Sequence, residues 1–277
     1  MDSGKEFAFS QADFDYLRNI VTRTTGILAP DDKYTMYYSR LARRLRTLGL
    51  KDFGEYRKYL ESNQQSESIE LVNSVTTNLT AFFRENHHFE FIRDVIVPDR
   101  LRSRNTQLRL WSAGCSTGEE SYSIAMTLID AIPNISQWDI KILATDIDSN
   151  VLKTGESGVY DLSRVENLDK SLLKRHFKKG TDKNSGKVRV NSNLRELVKF
   201  RQLNLLEKWP ISEKIDFIFC RNVVIYFDKP TKTKLVDRFG DQLVDHGHLF
   251  MGHSESLHQS NDRFKLLGKT VYQISKG

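Results

Sequence analysis

The stretch Leu108-Arg109-Leu110-Trp111-Ser112-Ala113-Gly114-Cys115-Ser116-Thr117-Gly118-Glu119-Glu120 passes from an apolar run through two glycines into Tyr122-Ser123-Ile124-Ala125-Met126-Thr127-Leu128-Ile129, whose pattern is helical. A strand, a glycine turn and a helix make the opening unit of a nucleotide-binding α/β sheet. Neither Gly-x-x-x-x-Gly-Lys-Ser/Thr nor Gly-x-Gly-x-x-Gly is present, so the usual phosphate loops are not met. A pyrophosphate site leaves its helix N-terminus open to anions, whereas this one carries the carboxylates of Glu119 and Glu120. The expected ligand is a nucleoside bearing positive charge. S-adenosylmethionine satisfies that, since its sulfonium and amino group are cationic and its ribose hydroxyls seek a carboxylate acceptor. The plain alternative is a helix start with favourable acids and glycines for the turn.

Outward from this unit, Ile140-Lys141-Ile142-Leu143-Ala144-Thr145 reads as a second strand ending on Asp146-Ile147-Asp148. An acid at the end of the second strand is placed to grip a ribose; Asp146 is assigned to that role and Asp148 to capping the helix that starts near Asn150. Further strands are expected over Leu197 to Leu203, Ile215 to Cys220 and Gly247 to Met251, with a terminal hairpin over Phe264 to Ile274. Strands alternating with helices imply a mainly parallel sheet covered on both faces. The connection after Gly158-Val159-Tyr160 is longer than usual and contains Gly180-Thr181-Asp182-Lys183-Asn184-Ser185-Gly186 followed by Lys187-Val188-Arg189-Val190, which suggests a small antiparallel insert. Its edge offers peptide capture by strand addition; a disordered loop is the alternative.

The first 75 or so residues read as all helix. Ser10 caps a helix with Phe14, Leu17, Ile20 and Val21 that stops at Gly26, and a third helix centres on Tyr56, Tyr59 and Leu60. Between them, Tyr34, Tyr37, Tyr38, Leu41, Leu45 and Leu48 share one face, opposite Lys33, Arg40, Arg43, Arg44 and Arg46. With no acid among them, the arginines have nothing on their own helix to neutralise them, which leaves partner docking and simple solvation open. Glu61 to Ser66 is polar and reads as a loop; His88 to Val97 reads as a connecting helix ended by Pro98. The expected organisation is a helical domain over 1–75, a linker and connecting helix over 76–107, and an α/β domain over 108–277 with the insert at about 160–197.

At 277 residues, 39% apolar, 28% charged and +6 overall, the chain has the composition of a soluble protein, with charge that biases encounters toward acidic partners without indicating nucleic acid. Without a long apolar run, and with a polar start from Met1 to Glu6, it reads as cytoplasmic with no direct membrane insertion. Cys115 and Cys220 stand apart, and His246, His248 and His253 lack acidic partners at metal spacing, so neither a disulfide nor a metal is expected.

Two more constellations bear on chemistry: Asn78-Leu79-Thr80-Ala81-Phe82-Phe83-Arg84-Glu85, and a strand that ends on Arg221-Asn222 before Val223-Val224-Ile225-Tyr226-Phe227. Taken in order, Asn78-x-Thr80-x-Phe82-Phe83-Arg84, the Ala113 to Ser123 glycine segment, Ala144-Thr145-Asp146-Ile147-Asp148, Asn204-Leu205-Leu206 and Ile218 to Phe227 resemble the chemotaxis receptor methyltransferases of CheR type over nearly the whole chain. Gly252-His253-Ser254-Glu255-Ser256 adds to the similarity, and Ser121, where that family usually has proline, departs from it.

The resemblance implies a Rossmann-like methyltransferase sheet with a β insert behind an all-helical domain, and methyl transfer from S-adenosylmethionine to glutamate side chains on the cytoplasmic helices of chemoreceptors, leaving S-adenosylhomocysteine. It implies that Asn78, Thr80, Arg84, Gly114, Glu119, Asp146, Asn204, Leu205, Arg221 and Asn222 surround the cofactor, with Arg84 and Tyr226 nearest the transfer point. It gives Arg40, Arg43, Arg44 and Arg46 a glutamate-rich partner, and likens the insert to an element that binds a receptor's C-terminal tail. A nucleic-acid methyltransferase would carry an Asn/Asp-Pro-Pro-aromatic loop where this chain reads Arg221-Asn222-Val223-Val224. A cofactor-sensing adaptor would need neither Arg84 nor Tyr226, and a purely structural module would bind no cofactor.

Overall fold

The computed structural model describes residues 6–257 and 262–275; Met1 to Lys5, part of the polar start considered above, lie outside them. The chain forms two compact units: residues up to Thr77 with Tyr226–Lys232, and Asn78–Ile225 with the remainder from Thr233.

The first unit contains α1 (Gln11–Thr25), α2 (Tyr34–Leu48), α3 (Phe53–Ser62) and α4 (Gln64–Val75). Ser10 and Asp13 form a reciprocal capping box at the start of α1, and Gly26 ends it in the left-handed region at φ 74°. Phe14, Leu17, Tyr37, Leu41, Leu45, Phe53, Tyr56, Leu60 and Leu71 make the core.

The polar run from Glu61 to Ser66 is not a loop: only Asn63 separates α3 from α4, and its backbone and side-chain amides both donate to Tyr59 O. Glutamine and glutamate are good helix formers, so polarity alone does not break a helix. Arg40, Arg44 and Arg46 of α2, which have no acid on their own helix, find partners elsewhere in the unit. Arg44 makes a two-pronged ion pair with Glu67 of α4, at 3.0 and 2.6 Å, and Tyr56 Oη donates to the same carboxylate. Arg40 donates to Val75 O and Thr76 O at the end of α4, and Arg46 pairs with Glu6 on the surface. Arg43 stays exposed. Because the Glu67 side chain is only 2% exposed, Glu67→Ala would leave Arg44 only the more distant Glu70, at 3.9 Å, and the Tyr56 hydroxyl without its acceptor, and is expected to lower folding stability by about 3 kcal/mol in urea unfolding.

The second unit opens with α5 (His87–Phe91), which runs through a π-helical turn (Ile92–Ile96) into α6 (Val97–Ser103). Pro98 therefore does not end the helix. The turn before it is widened, with Val97 N–H bonded to Ile92 O, and Pro98 lies in the first turn of α6, where its missing N–H is tolerated.

Then come β1 (Gln107–Ala113), α7 (Glu119–Ala131), β2 (Asp139–Asp146), α8 (Ser149–Ser157), β3 (Val159–Asp161), α9 (Lys170–His176), β4 (Phe177–Lys179), β5 (Lys187–Val190), α10 (Ser192–Leu197), β6 (Val198–Gln202), β7 (Ile215–Cys220), α11 (Lys229–Gln242), β8 (Leu243–Met251), β9 (Phe264–Gly268) and β10 (Val271–Ile274).

The main sheet has the order β6-β2-β1-β7-β8-β10-β9. Its first five strands are parallel and the terminal hairpin is antiparallel. Every residue of β7 is buried, as a strand covered on both faces requires. From β1 the chain moves outward to β2 and β6, then returns to the other side of β1 for β7 and β8. The strand order thus reverses between β1 and β7, and a crevice outside their carboxyl ends is where such sheets bind ligands. The expected insert is present as a three-stranded antiparallel sheet in the order β3-β5-β4.

Candidate active site

Gly114 follows β1 at φ +86°, and its N–H and that of Cys115 both donate to Thr145 O at the end of β2. A Cβ on Gly114 would lie 2.3 Å from Val223 Cγ2, so the glycine turn and the segment after β7 close on each other. Ser116 N–H donates to Asp146 Oδ2 at 2.8 Å, and Asp148 N–H to Oδ1 at 3.0 Å. Burial nevertheless dominates: the Asp146 carboxyl is pushed up to about 6. Asp148 takes the capping role read from the sequence, accepting from Asn150 N–H, and its other oxygen accepts from Asn78 Nδ2 at 2.7 Å.

The Asn78 to Arg84 segment is tied to the glycine turn and to α7. Ser116 Oγ donates to Asn78 O, Phe83 N–H to Ser123 Oγ, and Arg84 Nη1 to Leu79 O. Phe83 and Glu85 hold φ 53° and 57°, a conformation non-glycine residues adopt at a cost. Glu119 is fully buried and paired with Arg164, whose guanidinium also donates to Thr80 O at 2.9 Å. Asn78 and Asp146 are thereby joined through Ser116 and Asp148, Thr80 and Glu119 through Arg164, and Gly114 is anchored on Thr145 O. Arg164 escaped the sequence reading, because nothing around it marks a residue of the insert as the partner of an acid 45 positions earlier.

Arg221 follows β7 with its side chain already engaged. The guanidinium pairs with Glu120 at 3.2 Å and Glu85 at 3.3 Å, donates to Arg84 O, and lies over the Phe89 ring. Its side chain is 2% exposed, so it braces the Arg84-Glu85 turn against α7. Glu120, also hydrogen-bonded to Ser112, is raised by burial against the lowering effect of Arg221.

Asn204 lies one residue beyond Leu203, whose N–H donates to Asp146 O, and its Oδ1 accepts from Leu206 N–H. Leu205 is buried, and its carbonyl accepts from Trp209 and Arg238. Asn222, at φ 58°, follows β7. Tyr226 ends the one-turn helix Val224–Tyr226 and belongs to the helical unit, where its carbonyl accepts from Leu28 N–H.

Both cysteines are buried free thiols pushed well above the ordinary range by burial. His88 is buried and held neutral, its pKa lowered to about 3 by burial and then by Arg221. Glu85, His87 and His253 bring potential ligand atoms within 4.8 Å of one another, but Arg221 faces Glu85 and its charge opposes a cation there. No helix among the described residues is long and apolar enough to cross a membrane.

The family model for the CheR methyltransferase SAM-binding domain matches residues 78–273, and that for the CheR methyltransferase all-alpha domain matches residues 12–76. The chain belongs to the CheR methyltransferase family. The chemotaxis protein methyltransferase of Escherichia coli is 46% identical over 275 residues, covering 98% of this chain and 94% of that one. Chemotaxis protein methyltransferase 2 of Pseudomonas aeruginosa is 46% identical over 269 residues, 97% and 95% of the two chains. The protein from Borreliella burgdorferi is 41% identical over 264 residues, 93% and 92%.

As a CheR methyltransferase the enzyme uses S-adenosylmethionine, and its residues fit that group: a buried carboxylate ends β2, acids stand at the α7 N-terminus, and the turn between β1 and α7 needs glycine. A pH dependence follows. Asp146 titrates near 6 when folded against an ordinary 3.8, so its ionisation costs the ligand-free fold stability from about pH 4 upward, in full above about pH 6. Cofactor affinity has the opposite sign, because a ribose hydroxyl needs the ionised acceptor. S-adenosylhomocysteine affinity is expected to be constant above pH 6 and to fall about tenfold per unit below it, with Asp146→Asn flattening the profile in calorimetric titrations.

Proposed function

We propose that this CheR methyltransferase transfers the methyl group of S-adenosylmethionine to glutamate side-chain carboxylates on the cytoplasmic helices of chemoreceptors, giving methyl esters for chemotactic adaptation in the cytoplasm. What supports the substrate class is the character of the site's titratable groups. Its acids are engaged by arginines, hydroxyls or backbone amides, its thiols are buried and protonated, and His88 is buried and neutral. Such a site offers little general-base capacity, and a glutamate nucleophile with a reference pKa near 4.3 needs none at neutral pH.

When bound, S-adenosylmethionine supplies an electrophilic methyl group on a cationic sulfur. Asp146 accepts from the ribose, with lone pairs remaining beside its backbone donors. Asn78, Thr80, Arg84, Gly114, Glu119, Asn204, Leu205 and Asn222 form the surrounding wall, and Arg221 supports it from behind. Arg84 or Tyr226 holds one oxygen of the substrate carboxylate and leaves the other free to attack; too strong a grip would stabilise the ground state and slow the step. Capture of a receptor tail by the insert would use β3 or β4, since β5 is paired on both sides.

The decisive assay is transfer of radiolabelled methyl groups to a receptor cytoplasmic fragment, with a glutamine-substituted fragment as control. Alkali-labile label on the glutamate form alone is the expected result; no label with cofactor binding intact would move the reading to another substrate or to a cofactor-sensing adaptor. For the receptor contact, Arg43 is the residue to reverse, because a glutamate at 44 would face Glu67. Arg43→Glu is expected to lower receptor methylation about tenfold at low salt, with S-adenosylhomocysteine affinity unchanged; an equal loss of both would overturn the docking role.

A further inference from the structure

Gly252-His253-Ser254-Glu255-Ser256, directly after β8, is the motif that the proposed reaction leaves unused. Glu255 is 3% exposed. Its Oε2 accepts from Asn222 N–H and Gly252 N–H, both at 2.7 Å, and its Oε1 accepts from Ile225 N–H at 3.2 Å; Val223 N–H also contributes. Among the described residues, backbone amides rather than a cationic side chain hold this carboxylate. Three of the four amides belong to the segment after β7, the arrangement by which successive N–H groups form an anion nest. A protein does not bury a carboxylate against amides without cost, and here the result is one loop held in one conformation.

That loop contains Asn222, whose φ of 58° is left-handed. It is confined from two further sides. A Cβ on Gly252 would lie 2.5 Å from Asn222 Nδ2 and 2.8 Å from Asn222 N, and a Cβ on Gly114 would strike Val223. The carboxylate and Gly252 therefore fix the backbone and the side chain of Asn222, and Gly114 confines its neighbour Val223.

We propose that Glu255 is a positioning residue of the cofactor site: by gathering the amides after β7 it holds Asn222 in the conformation in which Asn222 meets S-adenosylmethionine. The inference rests on the cofactor role of Asn222 given above. Glutamine at 255 would keep the shape but turn one acceptor into a donor facing N–H groups, and alanine at Gly252 would press on both Asn222 and the Glu255 carboxylate.

The test is calorimetric titration of the full chain with S-adenosylhomocysteine, comparing Glu255→Gln, Gly252→Ala, Asn222→Ala and the Glu255→Gln/Asn222→Ala double variant. Phe239→Leu, in a buried contact with Trp111 and Trp209, serves as a destabilised control. Each of the three single site variants is expected to raise Kd about tenfold or more, the control to lower Tm without changing Kd, and the double variant to be no weaker than its worse parent. Kd changes that multiply in the double variant, or a Glu255→Gln loss no larger than the control's, would overturn the proposal alone. An unchanged Kd in Asn222→Ala would overturn the cofactor role of Asn222 and the proposal with it.

Discussion

Replacing Gly114 by alanine is expected to raise the dissociation constant for S-adenosylhomocysteine about 100-fold or more. Two costs act together. The residue sits at φ +86°, where an L side chain loses about 1–2 kcal/mol. The new methyl would also lie 2.3 Å from Val223 Cγ2, so either the glycine turn or the segment after β7 must move. The Gly114 and Cys115 N–H bonds to Thr145 O anchor the turn to β2, and movement there is passed to Ser116 and from it to Asp146. The steric part is separable: Val223→Ala should recover part of the affinity in the double variant, and the backbone strain should remain. Calorimetry and chemical denaturation of the three proteins check this; a Kd within a few-fold of the parent would show that the turn is not a surface against which the cofactor binds.

The second large effect is expected at Tyr226. Tyr226→Phe removes one hydroxyl and leaves intact the carbonyl that accepts from Leu28 N–H. If the hydroxyl orients the substrate carboxylate, kcat should fall about 100-fold, as for loss of one positioned donor, with S-adenosylhomocysteine affinity unchanged. Arg84→Gln should differ, lowering both kcat and cofactor affinity, because Arg84 is assigned to both tasks. Single-turnover methylation with saturating cofactor, alongside calorimetry, separates the two patterns. Unchanged turnover in Tyr226→Phe would remove the tyrosine from the reaction.

The parallel strands, the glycine turn, the Asp148 cap, the insert and the terminal hairpin were all legible, because each is written in local spacing: alternating apolar runs, glycines where φ is positive, an aspartate before a helix. Local composition is a weaker guide to where a helix ends. Glu61 to Ser66 looked like a loop, yet its residues are helix formers and only Asn63 interrupts them. Pro98 looked like a helix end, yet a π turn before it makes room for the ring.

The charged groups divide differently. Sequence alone determined the family-specific set of residues, the order of the strands along the chain and the acidic character of the α7 N-terminus, since these depend on identity and spacing over a few turns. Tertiary structure decided which charges are committed: Arg44 to Glu67, Glu119 to Arg164, Arg221 to Glu120 and Glu85, and the Glu255 carboxylate to the amides after β7. Those partners lie between 23 and 136 residues apart in the helical and α/β pairs. No periodicity links positions so distant. A charge buried by folding must find its counter-charge or donors wherever the chain brings them, so of the arginines for which the sequence leaves docking and solvation open, Arg40 and Arg44 become part of the scaffold, while Arg43 and the Glu6-paired Arg46 stay exposed.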